Sequence, residues 1–252
     1  MIWEGKVVVV TGGATGIGAA TSRLFAEKGA RVVILDLNDS AAEENVGTIK
    51  AAGGSALYVR GSVASEADVK ALAARAVDAH GRIDGLINNA GIMRRHDGIE
   101  GWTTDEIRQI LDINLLGLFH TTYTLGPIIA RDGGGAIVNI ASIGGIVGVP
   151  YSPVYAAAKA GVLGLTRSIA PTLGPQGVSV NAMLPNFVDT PMTIDSPSRA
   201  FLPMLQPIDI ARGVVHIAGD PKLNGAFFTV SLTDGKPAQA GKHLYHEANR
   251  LV

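Results

Sequence analysis

The chain has 252 residues, 47% of them hydrophobic and 17% charged, enough apolar content to bury a core. Its 21 basic and 22 acidic side chains leave a net charge of -1, which offers no electrostatic case for a nucleic-acid or anionic-membrane partner. The absence of cysteine excludes disulfides and thiolate chemistry, and the 6 histidines form no tight ligand cluster, so no metal is expected.

The first predicted strand is Val7 to Val10, within "KVVVV", and a helix pattern over residues 17 to 29 follows, ending at Gly29. "RVVIL", Arg31 to Leu35, is the second strand; a helix covers about 40 to 51 before the Gly53-Gly54 break. "SALYV" supplies a third strand with a helix over about 66 to 80 after it. "DGLIN" makes the fourth, with helices around 103 to 131 interrupted near Leu115. "AIVNIA" is the fifth strand, 154 to 174 a long helix, "VSVNAML" the sixth strand and "AFFTVSL" the seventh. Pro171 falls in the last turns of the long helix, where its missing N–H predicts an early end or a bend.

Strands that alternate with helices imply parallel pairing through right-handed crossovers. Their Val/Ile/Leu content fits a sheet covered on both faces. The expected architecture is therefore α/β: one doubly wound, Rossmann-type domain over residues 1–252, with a mostly parallel seven-stranded sheet and helices on both faces. The strand "KVVVV" leaves little room for a leader before it, and no run of about 18 apolar residues appears. A cytoplasmic protein is the expectation.

The loop "TGGATGIG", Thr11 to Gly18, joins the first strand to the first helix. Without Cβ atoms, Gly12, Gly16 and Gly18 let a pyrophosphate approach backbone N–H groups at a helix N-terminus, whose dipole favours the anion. Thr15 and Ile17 share that loop. Asp36 closes the second strand, where a carboxylate accepts bonds from an adenosine ribose diol; Leu37 follows it. A 2'-phosphate beside Asp36 would be repelled, and no basic residue stands in the loop to receive it, so the expected cofactor is NAD.

Further motifs follow in order: "NNAG" at Asn88 to Gly91, Asn114 in "ILDINLLG", Ser142 in "VNIAS", Tyr155 and Lys159 in "YAAAK", and "LPNFVDTP" from Leu184 to Pro191. Together they resemble the short-chain dehydrogenase/reductase family across nearly the whole chain. The resemblance implies a catalytic group of Ser142, Tyr155, Lys159 and Asn114. It also implies that Asn89, Ala90, Gly91, Pro185, Asn186, Val188 and Thr190 line the cofactor, with Ser62 and Val63 at the adenine. Asn114 would hold a water next to Lys159, and Lys159 would reach the nicotinamide ribose.

Tyr155 and Lys159 are four residues apart on a helix and so share a face. A neighbouring ammonium favours phenolate and pulls the tyrosine toward the working range, making Tyr155 the proton acceptor in alcohol oxidation and the donor in carbonyl reduction. Ser142 polarises the substrate oxygen as charge develops. The chain departs from the family pattern at Ser62, where an Asp is usual, and at Asn186, where a Gly is usual.

Gly144, Gly145, Val149, Pro150 and Tyr151, with Met93, Phe187, Met192, Phe201, Leu202, Met204 and Leu205, could line an apolar cleft. Gly144, Val149, Asn186, Phe187 and Met192 are the substrate contacts expected beside Ser142 and Tyr155, for a secondary alcohol or ketone of largely hydrophobic body. Arg94, Arg95 and His96 form a small basic run near the cleft mouth, which leaves an acidic substrate open beside solvated or inter-subunit roles. A short lid is expected over about 190–206, holding at most one small helix. From about 236 runs a C-terminal tail whose Leu244, Tyr245 and Leu251 would pack on a neighbour or on the same subunit. "GDPKLNGAFFTVSLTDG" is weakly similar to the matching stretch of hydroxyprostaglandin dehydrogenases. Family likeness further implies a homotetramer or homodimer. Two other readings stay open: a carbonyl reductase working mainly in the biosynthetic direction, and a catalytically silent dinucleotide-binding member.

Overall fold

Four successive valines, Val7 to Val10, are all fully buried, and their side chains point alternately to the two faces of strand β1 (Val7–Thr11). Val7 and Val9 join one apolar cluster, Val8 and Val10 a second. The alternation repeats in β2 (Arg31–Asp36), where Val33 and Leu35 face the first cluster and Val32 and Ile34 the second. A strand buried on both faces has no polar side to show, which explains the continuous apolar runs.

The computed structural model describes residues 3–200, 202–230, 232–233 and 236–237; Phe201 and the tail residues Leu244, Tyr245 and Leu251 lie outside them. The remaining strands are β3 (Ser55–Arg60), β4 (Gly85–Asn88), β5 (Gly135–Ile140), β6 (Val178–Met183) and β7 (Phe227–Phe228). All pair in parallel, in the order β3-β2-β1-β4-β5-β6-β7. A separate two-stranded antiparallel pair joins β8 (Leu232–Thr233) to β9 (Lys236–Pro237). The strand order reverses between β1 and β4, which opens a crevice at the carboxyl ends of those strands.

Helices α1 (Gly16–Glu27), α2 (Asp39–Ala51) and α7 (Pro207–Gly219) cover one face, contributing Phe25, Ile49, Ile210, Val214 and Ile217 to the second cluster. Helices α3 (Glu66–His80), α5 (Gly117–Arg131) and α6 (Pro153–Leu173) cover the other with Leu72, Leu125, Ile129, Val162 and Ile169. Local signals set several ends. Asn38 caps α2 by accepting from the Ala41 N–H, Ser65 caps α3 by accepting from the Asp68 N–H, and Gly81 closes α3 in the left-handed conformation. α4 (Thr104–Leu111) begins with a capping box between Thr103 and Glu106.

The interruption expected near Leu115 is a π-helical turn, Asp112–Leu116, between α4 and α5. Inside it the Asn114 side-chain amide bonds the Ile110 carbonyl, the acceptor its own backbone N–H would use in an α-turn.

Three expectations need correction. α6 does not stop early at Pro171; it continues to Leu173 and tightens into a 3-10 turn at Gly174–Gln176, while the Asn224 amide donates to the Ala170 carbonyl. The seventh strand is two residues long rather than seven, because parallel pairing with β6 extends only over Ala182 and Met183. The lid contains two 3-10 turns, Pro191–Thr193 and Pro197–Ala200. Helix α7 is an addition: Ile210, Gly213, Val214, Ile217 and Ala218 recur at helical spacing behind Pro207 at its first turn.

Candidate active site

Thr11, at the end of β1, is buried, and its hydroxyl accepts the N–H groups of Asn89 and Ala90 at 3.0 and 3.1 Å. The Asn89 amide returns to the Thr11 and Gly12 carbonyls at 3.0 and 2.9 Å. These bonds fix the loop after β1 against the loop after β4, where the sheet order reverses.

Gly12 and Gly16 adopt φ of +63° and +53°, and a Cβ on Gly12 would stand 2.8 Å from the Ala90 Cα. Only glycine fits there. Gly18 acts differently. A Cβ there would stand 2.0 Å from the Gly12 carbonyl oxygen, so it permits helix α1 to pack against the loop and does not line the cleft. On the far side, Asp36 accepts the Ala14 N–H at 2.9 Å with one oxygen and the Leu37 and Asn38 N–H groups at 2.8 and 3.0 Å with the other. Asp36 thus ties β2 to the glycine loop while remaining in the cleft wall.

The cleft has a volume of about 940 Å³. Its wall includes Gly12, Thr15, Gly16, Ile17, Asp36, Leu37, Ser62 and Val63 at one end. Asn89, Ala90, Gly91, Ser142, Tyr155, Lys159, Pro185, Asn186, Val188 and Thr190 continue it, with Gly144, Val149, Phe187, Met192, Met93 and Tyr151. Of the other expected lining, Leu205 is buried in the core behind Val188, to which it forms a bridge, while Gly145, Pro150, Leu202 and Met204 stand outside the wall. Ile92, Gln109 and Ile113 line it without having been expected; Gln109 precedes the π-turn and Ile113 lies within it, and no spacing rule foretells that geometry.

Asn114 is fully buried behind the wall. Its amide donates to the Ile92 and Ile110 carbonyls at 2.8 and 2.9 Å, and its carbonyl accepts the Ile92 N–H at 3.2 Å. A Cβ on Gly91 would lie 2.7 Å from the Asn114 carbonyl oxygen and 3.5 Å from Lys159 Nζ, so the absence of a side chain keeps these polar groups open toward the cleft. That cradle and the glycine loop leave room, at opposite parts of one crevice, for a dinucleotide.

Lys159 is 3% exposed and donates to the Ile140 carbonyl at 2.8 Å, with Nζ 5.6 Å from the Tyr155 ring centroid. Burial lowers its pKa to about 8. Tyr155 is half-buried and shares a hydrogen bond with Ser142, whose Oγ also accepts the Gly144 N–H at 3.0 Å. Burial pushes the Tyr155 phenol above its ordinary value; the Ser142 bond pulls it back, and nearby Tyr151 adds to the rise. The expectation of a tyrosine already lowered by its lysine is therefore corrected for the protein alone: desolvation outweighs the Ser142 hydrogen bond, and the phenol stands above its ordinary value. At Ser62 the hydroxyl accepts the Ala64 N–H at 3.2 Å, closing a local turn. Asn186 is exposed at the cleft edge.

The family described as short chain dehydrogenase matches residues 6–200. A 2,5-dichloro-2,5-cyclohexadiene-1,4-diol dehydrogenase of Sphingobium indicum is 43% identical over 190 residues, 75% of each chain. A cis-4-hydroxycyclohexanecarboxylate dehydrogenase of Sinomonas cyclohexanicum is 40% identical over 224 residues, 85% of this chain and 90% of the relative. Among solved structures, that of levodione reductase superposes with a TM-score of 0.84 at 31% identity, covering 90% of this chain and 96% of the other. Sequence and fold agree, and the chain belongs to the short-chain dehydrogenase/reductase family of oxidoreductases, which bind a nicotinamide dinucleotide.

Proposed function

We propose that the protein is an NAD-dependent dehydrogenase that interconverts a secondary alcohol, on a largely hydrophobic carbocyclic body, with its ketone. The observation that carries this reading is the grouping of Ser142, Tyr155 and Lys159 in the same crevice as the glycine loop and Asp36. When bound, the dinucleotide supplies the acceptor and donor of hydride. In oxidation Tyr155 Oη takes the proton of the substrate hydroxyl, and in reduction it returns one to the carbonyl oxygen. The Ser142 hydroxyl holds that same oxygen as its charge changes. Lys159, with a pKa of about 8, carries its charge at neutral pH and stabilises the phenolate form of Tyr155 that accepts the substrate proton. Asn114 positions the Ile92 segment beside Lys159.

Preference for NAD is supported by Asp36, the one acid lining the cleft among the described residues, which has no basic residue beside it there. Arg60, at the end of β3, is paired with Asp39 instead. The carbocyclic body is supported by the apolar lining and by the names of the two relatives. Exposed Leu116 and Tyr123, at the π-turn and on α5, support a homodimer or homotetramer. No helix among the described residues is long and apolar enough to cross a membrane, and we place the enzyme in the cytoplasm.

A panel of cyclic and acyclic secondary alcohols, followed by the absorbance of the reduced nicotinamide with NAD and with NADP, tests the reading. Oxidation of a cyclic alcohol with NAD is expected, at least about tenfold better in kcat/KM than with NADP. Equal or better turnover with NADP contradicts the cofactor assignment; no turnover of any alcohol or ketone contradicts the activity.

A further inference from the structure

Charge is distributed unevenly along the cleft. Among the described residues, its lining holds one acid, Asp36, and the cations Lys159, Arg94 and Arg95. Asp36 belongs to the end built on the glycine loop, where it holds the Ala14 N–H. The arginines belong to the reacting end. The Ser152 hydroxyl donates to the Arg94 carbonyl at 2.6 Å and the His96 N–H to the Tyr151 carbonyl at 3.1 Å. Both ties fasten the arginine segment to the residues that lead into α6 and Tyr155.

Neither guanidinium is neutralised by an acid among the described residues. Arg94 donates to the neutral Gln109 amide oxygen at 3.3 Å. Arg95 lies over the Tyr151 ring, 4.6 Å from its centroid. Stacking uses the flat face of a guanidinium and leaves its in-plane N–H fork available. Glu106, which reaches this segment, is already committed: one oxygen meets His96 at 3.3 Å and the other accepts the Thr103 N–H at 3.1 Å. Apart from these two arginines the reacting end is mostly apolar, with Met93, Ile113, Val149 and Phe187 in its wall. Two uncompensated cations at the mouth of an apolar cleft form a receptor for an anion carried on an apolar frame.

We infer that Arg94 and Arg95 form a carboxylate subsite, so that the substrate class is a hydroxy acid whose alcohol and carboxylate are separated by an apolar ring or chain. The assignment rests on the alcohol-oxidising reading above, and it makes the two arginines specificity residues of the same cleft. The carboxylate stays at the mouth, chemically unchanged, and orients the carbinol toward Tyr155 and Ser142.

Calorimetric titration of the NAD-loaded protein with cyclohexanecarboxylate and with its neutral isostere cyclohexanecarboxamide reads this binding without any turnover. The carboxylate is expected to bind at least about tenfold more tightly, an advantage that shrinks as salt is raised. In the double variant R94Q/R95Q the two ligands are expected to bind alike, while R94K/R95K retains part of the preference because its charge is kept. Equal affinity in the parent protein, or a preference unchanged in R94Q/R95Q, overturns the subsite. Failure of the proposed activity shows separately, as an alcohol panel without turnover in a protein that still discriminates the two ligands.

Discussion

Lys159 is the least comfortable residue of the molecule. It is an ammonium 3% exposed, donating to the Ile140 carbonyl, with a pKa lowered from 10.5 to about 8 by burial. The sign of the linkage is set by which state holds the proton. Below pH 8 both folded and unfolded chains are protonated, and the folded state carries the whole burial penalty. Between about 8 and 10.5 the unfolded chain still holds a proton that the folded one has released, so stability rises with pH there. Unfolding free energies of the parent minus those of Lys159→Met are expected to climb across that window; a flat difference contradicts the burial argument. The tyrosine beside it shows what a sequence conceals: the helical spacing of Tyr155 and Lys159 is legible, but the desolvation that reverses the expected pKa shift depends on residues far apart in the chain. Asp36 is more legible, because the end of the second strand is a place where a carboxylate meets backbone N–H groups. Its replacement, Asp36→Ala, removes acceptors of the Ala14, Leu37 and Asn38 N–H groups. The ratio of kcat/KM for NAD over NADP is expected to fall by about tenfold or more, and an unchanged ratio contradicts the role of Asp36 in cofactor choice.

Among the elements, the π-turn at Asp112–Leu116 matters most to the site, since it turns Asn114 inward to hold both backbone groups of Ile92. Asn114→Ala leaves buried backbone groups of Ile92 and Ile110 without these partners, a loss of about 2 kcal/mol. Urea denaturation should show this as a lowered midpoint with kcat reduced in parallel; a variant as stable and active as the parent contradicts a positioning role. An asparagine within an otherwise helical pattern marked the break in the sequence, but not its π geometry, because the partner loop at Ile92 is distant in the chain. Long buried strands and amphipathic helices were legible from hydrophobic period alone. Helix α7 was not expected after the lid, because Pro207 reads equally as a turn residue and as the first residue of a helix. Pro171 misled in the opposite direction: the N–H it lacks deprives only the Arg167 carbonyl of its α-helical donor, and the helix carries on for two residues to Leu173.

For the whole molecule, the reversal of strand order between β1 and β4 decides where chemistry can occur, and the alternation of strands and helices announced it. Most of the expected site residues line one cleft; Gly18 and Asn114 stand behind it, supporting the wall. The lid was legible only in part: Met192 lines the cleft as expected, whereas Leu205 is absorbed into the core and Leu202 and Met204 stand outside the wall. The amino-terminal side of the sheet is held by another device. Asp84, 1% exposed, accepts the Val7 N–H and bonds from Lys6 and Arg82. Burial pushes its carboxyl up, but the Arg82, Val7 and Lys6 bonds outweigh it and hold the pKa below the ordinary value. Its contribution is therefore present at neutral pH and lost as pH falls through that lowered value. Asp84→Ala should cost about 2 kcal/mol at pH 7 by denaturant titration, leaving cofactor affinity unchanged in the folded protein. A stability equal to the parent's contradicts the clamp.

The central claim is proton transfer by one phenol beside a bound dinucleotide. Single-turnover and steady-state oxidation by Tyr155→Phe, measured with the best alcohol of the panel alongside NAD affinity, tests it most directly. The account predicts a fall in kcat of at least about a hundredfold with NAD binding nearly unchanged. Turnover close to that of the parent, from a variant that has lost only this oxygen, would contradict it.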